Sequence, residues 1–402
     1  MERLDLDALY NAYYSKIAQT STDFVRYLYH TINWDVNIIG IKGARGVGKT
    51  TMLMQRIKLE FSADYEQALY VSLDNLWFNT NSLIDLVQYL DMKGIHYLFL
   101  DEVHKYKNWA QTIKNISDIY PRMKIVYTGS SMLEIDHSHA DMSRRQTLYT
   151  LTGMTFREYL EYEGIGKFDV YSIEDVLNRH VSIALDITSK ISVMAYFEDY
   201  LKKGYYPFFR EAGNDFQVRL RETVSAVIDC DIPAVDNFEF ETLNKIKKML
   251  MIIAAQVPFV PNITSLCEQV ATTRNMALKI LYLLDKAELL NLIMQKDKSY
   301  DNLIKPDKIL LGNPNLMYAL TTNPEIGTVR ETYFVCQLSK VGSVTSPEQG
   351  DYILNGKYTF EVGGRRKTFK QIKDIPDSYL AIDDMAVGHG NKIPLWIFGF
   401  LR

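Results

Sequence analysis

Short unbroken apolar runs and longer stretches with apolar residues every three or four positions alternate along this chain. "VNIIGI", residues 36–41, is mostly apolar and β-branched and reads as a buried strand. After a glycine-rich loop, "MLMQRIKLEF" carries apolar residues at helical spacing. Four more runs read as buried strands: "QALYVSLD" (67–74), "HYLFLDEVHKY" (96–106), "KIVYTGSS" (124–131) and "QTLYTLTG" (146–153). With helical segments between them, they predict a five-strand parallel sheet in an α/β core.

Past this core the pattern changes. From Glu161 to Phe238 it is helical, broken at Pro207, and predicts a small helical lid from which Arg210 either reaches a bound nucleotide or, the preferred reading, has a structural role. "FETLNKIKKMLMIIAAQ", "PNITSLCEQV" and "TTRNMALKILYLLDKAELL" read as three helices, with Asn262 or Thr264 and Thr272 or Thr273 as caps of the last two. A strand, a charged turn and a return follow, so the segment predicts a winged helix-turn-helix. Its third helix offers Arg274, Asn275 and Lys279, a thin basic face for a DNA reader. In the last hundred residues, "TVRETYFVCQLSKVG" reads as a helix and "GDYILNGKYTFEVGG" as a hairpin turning at Asn355-Gly356. "KIPLWIFGFL" reads as a buried closing strand.

Composition narrows the class without naming a function. The 402 residues are 47% hydrophobic and 23% charged, which is ordinary for globular proteins and enough for two or three domains. The net charge of −4 excludes a bulk polycation, so nucleic acid would need a local basic face. Three cysteines, far apart in sequence, form no CxxC pair and fit a reducing compartment. No apolar run is long enough to span a bilayer. The expectation is a soluble cytoplasmic chain with no membrane partner.

The chemistry sits on the loop between the first strand and the helix after it. "GARGVGKTT", residues 43–51, matches GxxxxGK[ST] in the required strand–loop–helix context. Gly43, Ala44, Arg45, Gly46, Val47 and Gly48 would turn backbone N–H groups toward phosphate oxygens at a helix N-terminus, with Lys49, Thr50 and Thr51 completing the cradle. Lys49 is placed to reach the β- and γ-phosphates of ATP, and the Thr50 hydroxyl to bind Mg²⁺. A strand ending in Asp101-Glu102 stands about 50 residues downstream. Asp101 suits the Mg²⁺ shell, and Glu102 suits orienting or deprotonating an attacking water. Ligands of open parallel sheets bind at the carboxyl ends of strands, which makes Thr128, Ser130 and Ser131 candidate sensors of the γ-phosphate or of the attacking water, Ser130 being taken as catalytic.

Together, "GARGVGKTT", "LFLDEVHKYKNW", "YTGSSM" and "GMTFREYLEY" make the chain resemble the P-loop ATPases of the AAA type, and within them the AAA_14 family with a C-terminal DUF4143 region. That resemblance implies a nucleotide-hydrolysing core at 35–160, after a helical segment at 1–34. The lid then covers 161–238 and the winged helix 239–305. At 306–402 it implies a unit like the restriction-type nucleases. The chain departs from the family in two places. Where relatives often carry Gly-Arg before "FREYL", this sequence has Arg144-Arg145, and Arg145 becomes a candidate finger acting on a neighbour's nucleotide in a homo-oligomer. Where the nuclease pattern asks for E-x-K after Glu331 and Asp351, it reads "EVGG": Glu361 is present, but Gly363 replaces the lysine. Lys367 or Lys373 is then the candidate substitute, and a retired nuclease is the expectation. Three roles follow for an ATP- and Mg²⁺-dependent enzyme of this kind: a nucleotide-driven switch or motor on a protein or nucleic-acid partner, an ATP-gated DNA-binding or DNA-processing protein, and a signalling scaffold with little turnover.

Overall fold

The structure is a computed structural model that describes residues 6–129, 142, 144–233, 238–256, 261–295 and 304–402. The chain divides into two compact units, Met1–Thr152 with Asp231–Asp236, and Gly153–Cys230 with Asn237–Arg402.

The first unit is built on five strands: β1 (Ile38–Lys42), β2 (Ala68–Ser72), β3 (Tyr97–Asp101), β4 (Lys124–Gly129) and β5 (Thr147–Thr150). They run in the order β2-β3-β4-β1-β5, and every neighbouring pair is parallel. The expected sheet is therefore present. Strands in such a sheet are covered on both faces, which is why they read as continuous apolar runs rather than alternating ones. Ile38, Ile39 and Ile41 of β1 and Leu98, Phe99 and Leu100 of β3 are all buried. The connecting helices are α2 (Lys49–Glu60), α3 (Leu83–Met92) and α4 (Trp109–Ile119). An N-terminal helix, α1 (Asp7–Gln19), turns Leu9, Tyr13 and Ile17 inward at a spacing of four, and the Tyr13 hydroxyl donates to the Tyr65 carbonyl at 3.0 Å.

The second unit begins with helices α5 (Phe156–Tyr162), α6 (Ile173–Lys190), α7 (Val193–Lys203) and α8 (Phe216–Ala226). Two of them start with reciprocal capping boxes, Thr155 with Glu158 and Ser172 with Asp175. The "TFRE" portion of the "GMTFREYLEY" motif is thus a helix-start signal. Gly153, just before it, is required because a β-carbon there would lie 2.2 Å from the Tyr205 ring. Arg210 bonds Glu163 and stacks on the Tyr162 ring.

Three more helices follow, α9 (Phe240–Gln256), α10 (Ile263–Val270) and α11 (Arg274–Lys286), and then an antiparallel pair, β6 (Leu290–Ile293) with β7 (Lys308–Leu311). Asn262 and Thr273 are the caps. After α12 (Pro314–Leu320) and α13 (Ile326–Leu338) comes a mixed sheet of β8 (Val344–Thr345), β9 (Tyr352–Leu354), β10 (Tyr358–Gly363), β11 (Ser378–Ile382) and β12 (Lys392–Pro394), in the order β12-β11-β10-β9-β8. Asn355 and Gly356, with φ of 53° and 65°, make the tight turn between β9 and β10. The closing segment departs from expectation: only Lys392–Pro394 is strand, and Leu395–Phe400 winds as a 3₁₀-helix with every residue buried. A run with no polar positions marks burial without choosing between strand and helix. Here Gly399 packs against Phe156 and Tyr333, and the Tyr333 hydroxyl donates to the Trp396 carbonyl at 3.0 Å.

Candidate nucleotide site

The candidate site lies at the carboxyl ends of β1, β3 and β4, where open parallel sheets bind ligands. The loop leaves β1 at Gly43, whose missing side chain lets it pass the Leu151 carbonyl: a β-carbon would sit 2.1 Å from that oxygen. It ends at Gly48, whose φ of 98° suits glycine and which begins α2 with no side-chain cap. The α2 N-terminus is therefore left to an anion, as its dipole favours. Val47 and Ala44 are buried within the loop, and Thr51 is exposed on α2. Lys49 is buried and donates to the carbonyls of Gly43 and Ala44 at 2.7 and 2.8 Å, which holds its ammonium inside the curve of the loop.

Because β4 stands between β1 and β3, the loop and the acids of β3 are two strand spacings, ~10 Å, apart at the sheet. Side chains close that gap. The Thr50 hydroxyl donates to Asp101 Oδ2 at 2.6 Å, the Tyr70 hydroxyl of β2 donates to the same oxygen at 2.9 Å, and Thr128 of β4 donates to Oδ1. Burial, followed by the charge of Asp101, pushes the Tyr70 phenol far up, so it remains a donor. A hydroxyl and a carboxylate brought together in this way are hard oxygen ligands of the kind Mg²⁺ takes beside phosphate and water. The residues present fit that ion.

Glu102 follows with φ of 53°, a left-handed conformation rare outside glycine. The His104 side chain is fully buried and places Nε2 3.4 Å from Glu102 Oε2. Burial, reinforced by the charges of Lys105, Lys49 and Arg45, pushes the His104 imidazole down to about 3, so it is neutral at physiological pH.

The structure therefore brings together Gly43, Ala44, Arg45, Gly46, Val47, Gly48, Lys49, Thr50, Asp101 and Glu102. Ser130, with Ser131, lies outside the described residues. Arg145 is half-exposed and paired with Asp118 at 3.1 Å. Four residues at or near the site were not read from the sequence. Tyr70 sits in a run whose signal was only apolar, and His104 in one read for its apolar residues and for Asp101 and Glu102. Arg26 is buried and donates to the carbonyls of Val47 at 2.9 Å and Thr152 at 2.7 Å, which braces the loop from behind. Asp231 meets Arg45 from far along the chain, at 3.3 Å. No motif marks either of the last two.

Comparisons with known proteins agree with this geometry over part of the chain. Residues 35–160 match AAA_14, an AAA domain. The AAA domain so defined contains the loop, Asp101 and Glu102, and such AAA-type P-loop domains bind nucleotide. Over the longer chain, the uncharacterized protein MJ1637 of Methanocaldococcus jannaschii is 27% identical across 392 residues, covering 89% of this chain and 81% of the relative. Among solved structures, AMPPCP-bound DnaA from Aquifex aeolicus is 13% identical, covering 71% of this chain and 85% of its own, with a TM-score of 0.30. The S. cerevisiae Hsp104–ADP complex is 14% identical, covering 69% and 39%, with a TM-score of 0.28. Superpositions this loose add nothing about function. No helix among the described residues is long and apolar enough to cross a membrane.

Proposed function

We propose that this protein hydrolyses ATP with Mg²⁺ and uses the cycle as a switch or motor on a protein or nucleic-acid partner. The observation that carries the proposal is the Thr50–Asp101 bond at 2.6 Å, with Glu102 immediately after it. Mg²⁺, held by Thr50 and Asp101, would neutralise phosphate charge. Lys49 and the α2 N-terminus bind the β- and γ-phosphates and stabilise the charge that shifts toward the leaving oxygen. Glu102 orients a water in line with the γ-phosphorus and takes its proton. His104, neutral and adjacent, holds the Glu102 carboxylate in place. The test is calorimetric titration with ATP·Mg beside phosphate release. Lys49→Ala is expected to lose binding, and Glu102→Gln to bind normally while losing turnover by ~10²-fold or more. Normal turnover in Glu102→Gln would remove the catalytic assignment, and no phosphate release by wild type that binds ATP would leave the scaffold role.

A second reading, ATP-gated binding or cutting of nucleic acid, gains support from one cluster in the second unit. In that reading α9–α11 with β6 and β7 are a winged helix, and 306–402 is a DUF4143-like, nuclease-like unit. Lys367 reaches back over Gly363, whose absent side chain leaves room for it. Its ammonium lies 3.1 Å from Glu361 Oε2 and 3.4 Å from Asp351 Oδ2. The position that looked empty in "EVGG" is thus filled from four residues away. Glu331 has other partners, Lys308 at 2.8 Å and the Tyr352 hydroxyl at 2.5 Å. Plasmid cutting that disappears in both Asp351→Ala and Lys367→Ala would establish this reading, and intact plasmid together with no ATP-dependent DNA binding leaves the switch or motor.

A further inference from the structure

Arg45 of the phosphate loop is paired with an acid, and that partner comes from 186 positions away. Asp231 ends a π-helical turn, Val227–Asp231, and opens the segment Asp231–Asp236, which is the part of the chain beyond Thr152 that belongs to the first unit. Its carboxylate is buried, with its side chain 4% exposed against 40% for Arg45. Oδ1 takes the Arg45 guanidinium at 3.3 Å, while Oδ2 is buried with no hydrogen-bond partner. Ile232, next in sequence, is fully buried. Burial pushes the Asp231 carboxyl up, and Arg45, then Lys105 and Lys49, pull it back. The charges that draw on Asp231 are therefore a loop arginine, the loop lysine and a lysine just past Glu102.

A buried carboxylate with one unsatisfied oxygen is costly and is held by its cations. A triphosphate recruits cations of the same set and brings several negative charges to the same loop. Asp231 and the triphosphate cannot both be fully served by Arg45 and Lys49. We propose that Asp231 is an intramolecular anion that competes with the triphosphate for the loop, so that nucleotide binding releases the segment beginning at Asp231 from the first unit. This rests on the reading of the loop as an ATP site and adds to it the element that senses occupancy. The segment joins α8 to α9, so its release gives those two helices a direct covalent report of the nucleotide.

The experiment compares wild type with Asp231→Asn, which keeps the shape and removes the charge. ATP·Mg, ADP·Mg and adenosine are titrated calorimetrically, and amide hydrogen exchange is followed over 227–233 with and without ATP. Removing one unit charge near the phosphates is expected to tighten ATP by about tenfold. ADP should gain less, and adenosine, lacking phosphate, nothing. In wild type, ATP should accelerate exchange over 227–233, and Asp231→Asn should exchange fast without it. Should the variant fail to fold, the wild-type exchange decides alone. Equal ATP affinity in the two proteins, or wild-type exchange that ATP leaves unchanged or slows, overturns the competition while the ATP site stands. Binding by neither folded protein overturns both, and binding only by Asp231→Asn supports both.

Discussion

Glu102 sits in a left-handed backbone conformation, φ 53°, at the end of a buried strand. Such strain costs on the order of 1–3 kcal/mol and persists where surrounding structure enforces it. Here it turns the carboxylate off the strand line toward the imidazole of His104, 3.4 Å away. His104 is thereby a positioning residue, and its protonation state matters. Burial holds it neutral down to about pH 3, so it should add no inflection near pH 6–7 to the turnover profile. A histidine whose folded pKa is depressed lets the unfolded chain bind the proton first. Its stability contribution is present above about 6.5 and lost as pH falls toward 3. His104→Phe is expected to cut kcat roughly tenfold with ATP affinity retained, since positioning errors act on the reacting geometry. The variant should also lose part of the acid sensitivity seen in denaturant midpoints between pH 4 and 7. A variant with unchanged kcat would reduce His104 to core packing.

Among the elements, helix α11 carries a group whose shift has the opposite sign and which is bonded to β6. Asp285, near the end of α11, accepts the Leu292 backbone N–H at 2.9 Å, and burial pushes its carboxyl up to about 7 against that bond. For an acid with a raised folded pKa, the folded state keeps the proton longer. The stability is fully present below about pH 4 and is lost as pH rises toward 7. Asp285→Asn can still accept from Leu292 and carries no charge. It is expected to stabilise the second unit by about 1–3 kcal/mol at pH 8 and hardly at all at pH 4. Thermal melts at the two pH values read the difference directly. The opposite trend would show that the ionised carboxylate is the form the fold prefers.

For the whole molecule, the open question is whether chains act on each other. Arg145 is half-exposed and its ion pair with Asp118 is a surface one, worth little to stability. If it serves a neighbour's nucleotide, turnover per chain rises with protein concentration, and Arg145→Ala flattens that rise with monomer activity unchanged. Strictly linear activity with a monomer by light scattering in ATP leaves Arg145 as the partner of Asp118 only. What the sequence determined by itself was local. Continuous apolar runs gave the five parallel strands, "GARGVGKTT" and "LFLDE" gave the loop and its acids, and capping pairs such as Thr155 with Glu158 gave the helix starts. Each of these signals lies within a dozen residues, where backbone sterics and hydrogen-bond satisfaction act. Tertiary structure alone decided the rest. Strand order put β3 between β2 and β4 and so made Tyr70 and Thr128 partners of Asp101. The chain's return brought Asp231 to Arg45, and the space over Gly363 admitted Lys367 to two carboxylates. These contacts join residues whose separation along the chain leaves no periodic trace. They form because buried charges and hydroxyls must find partners wherever the fold has carried them.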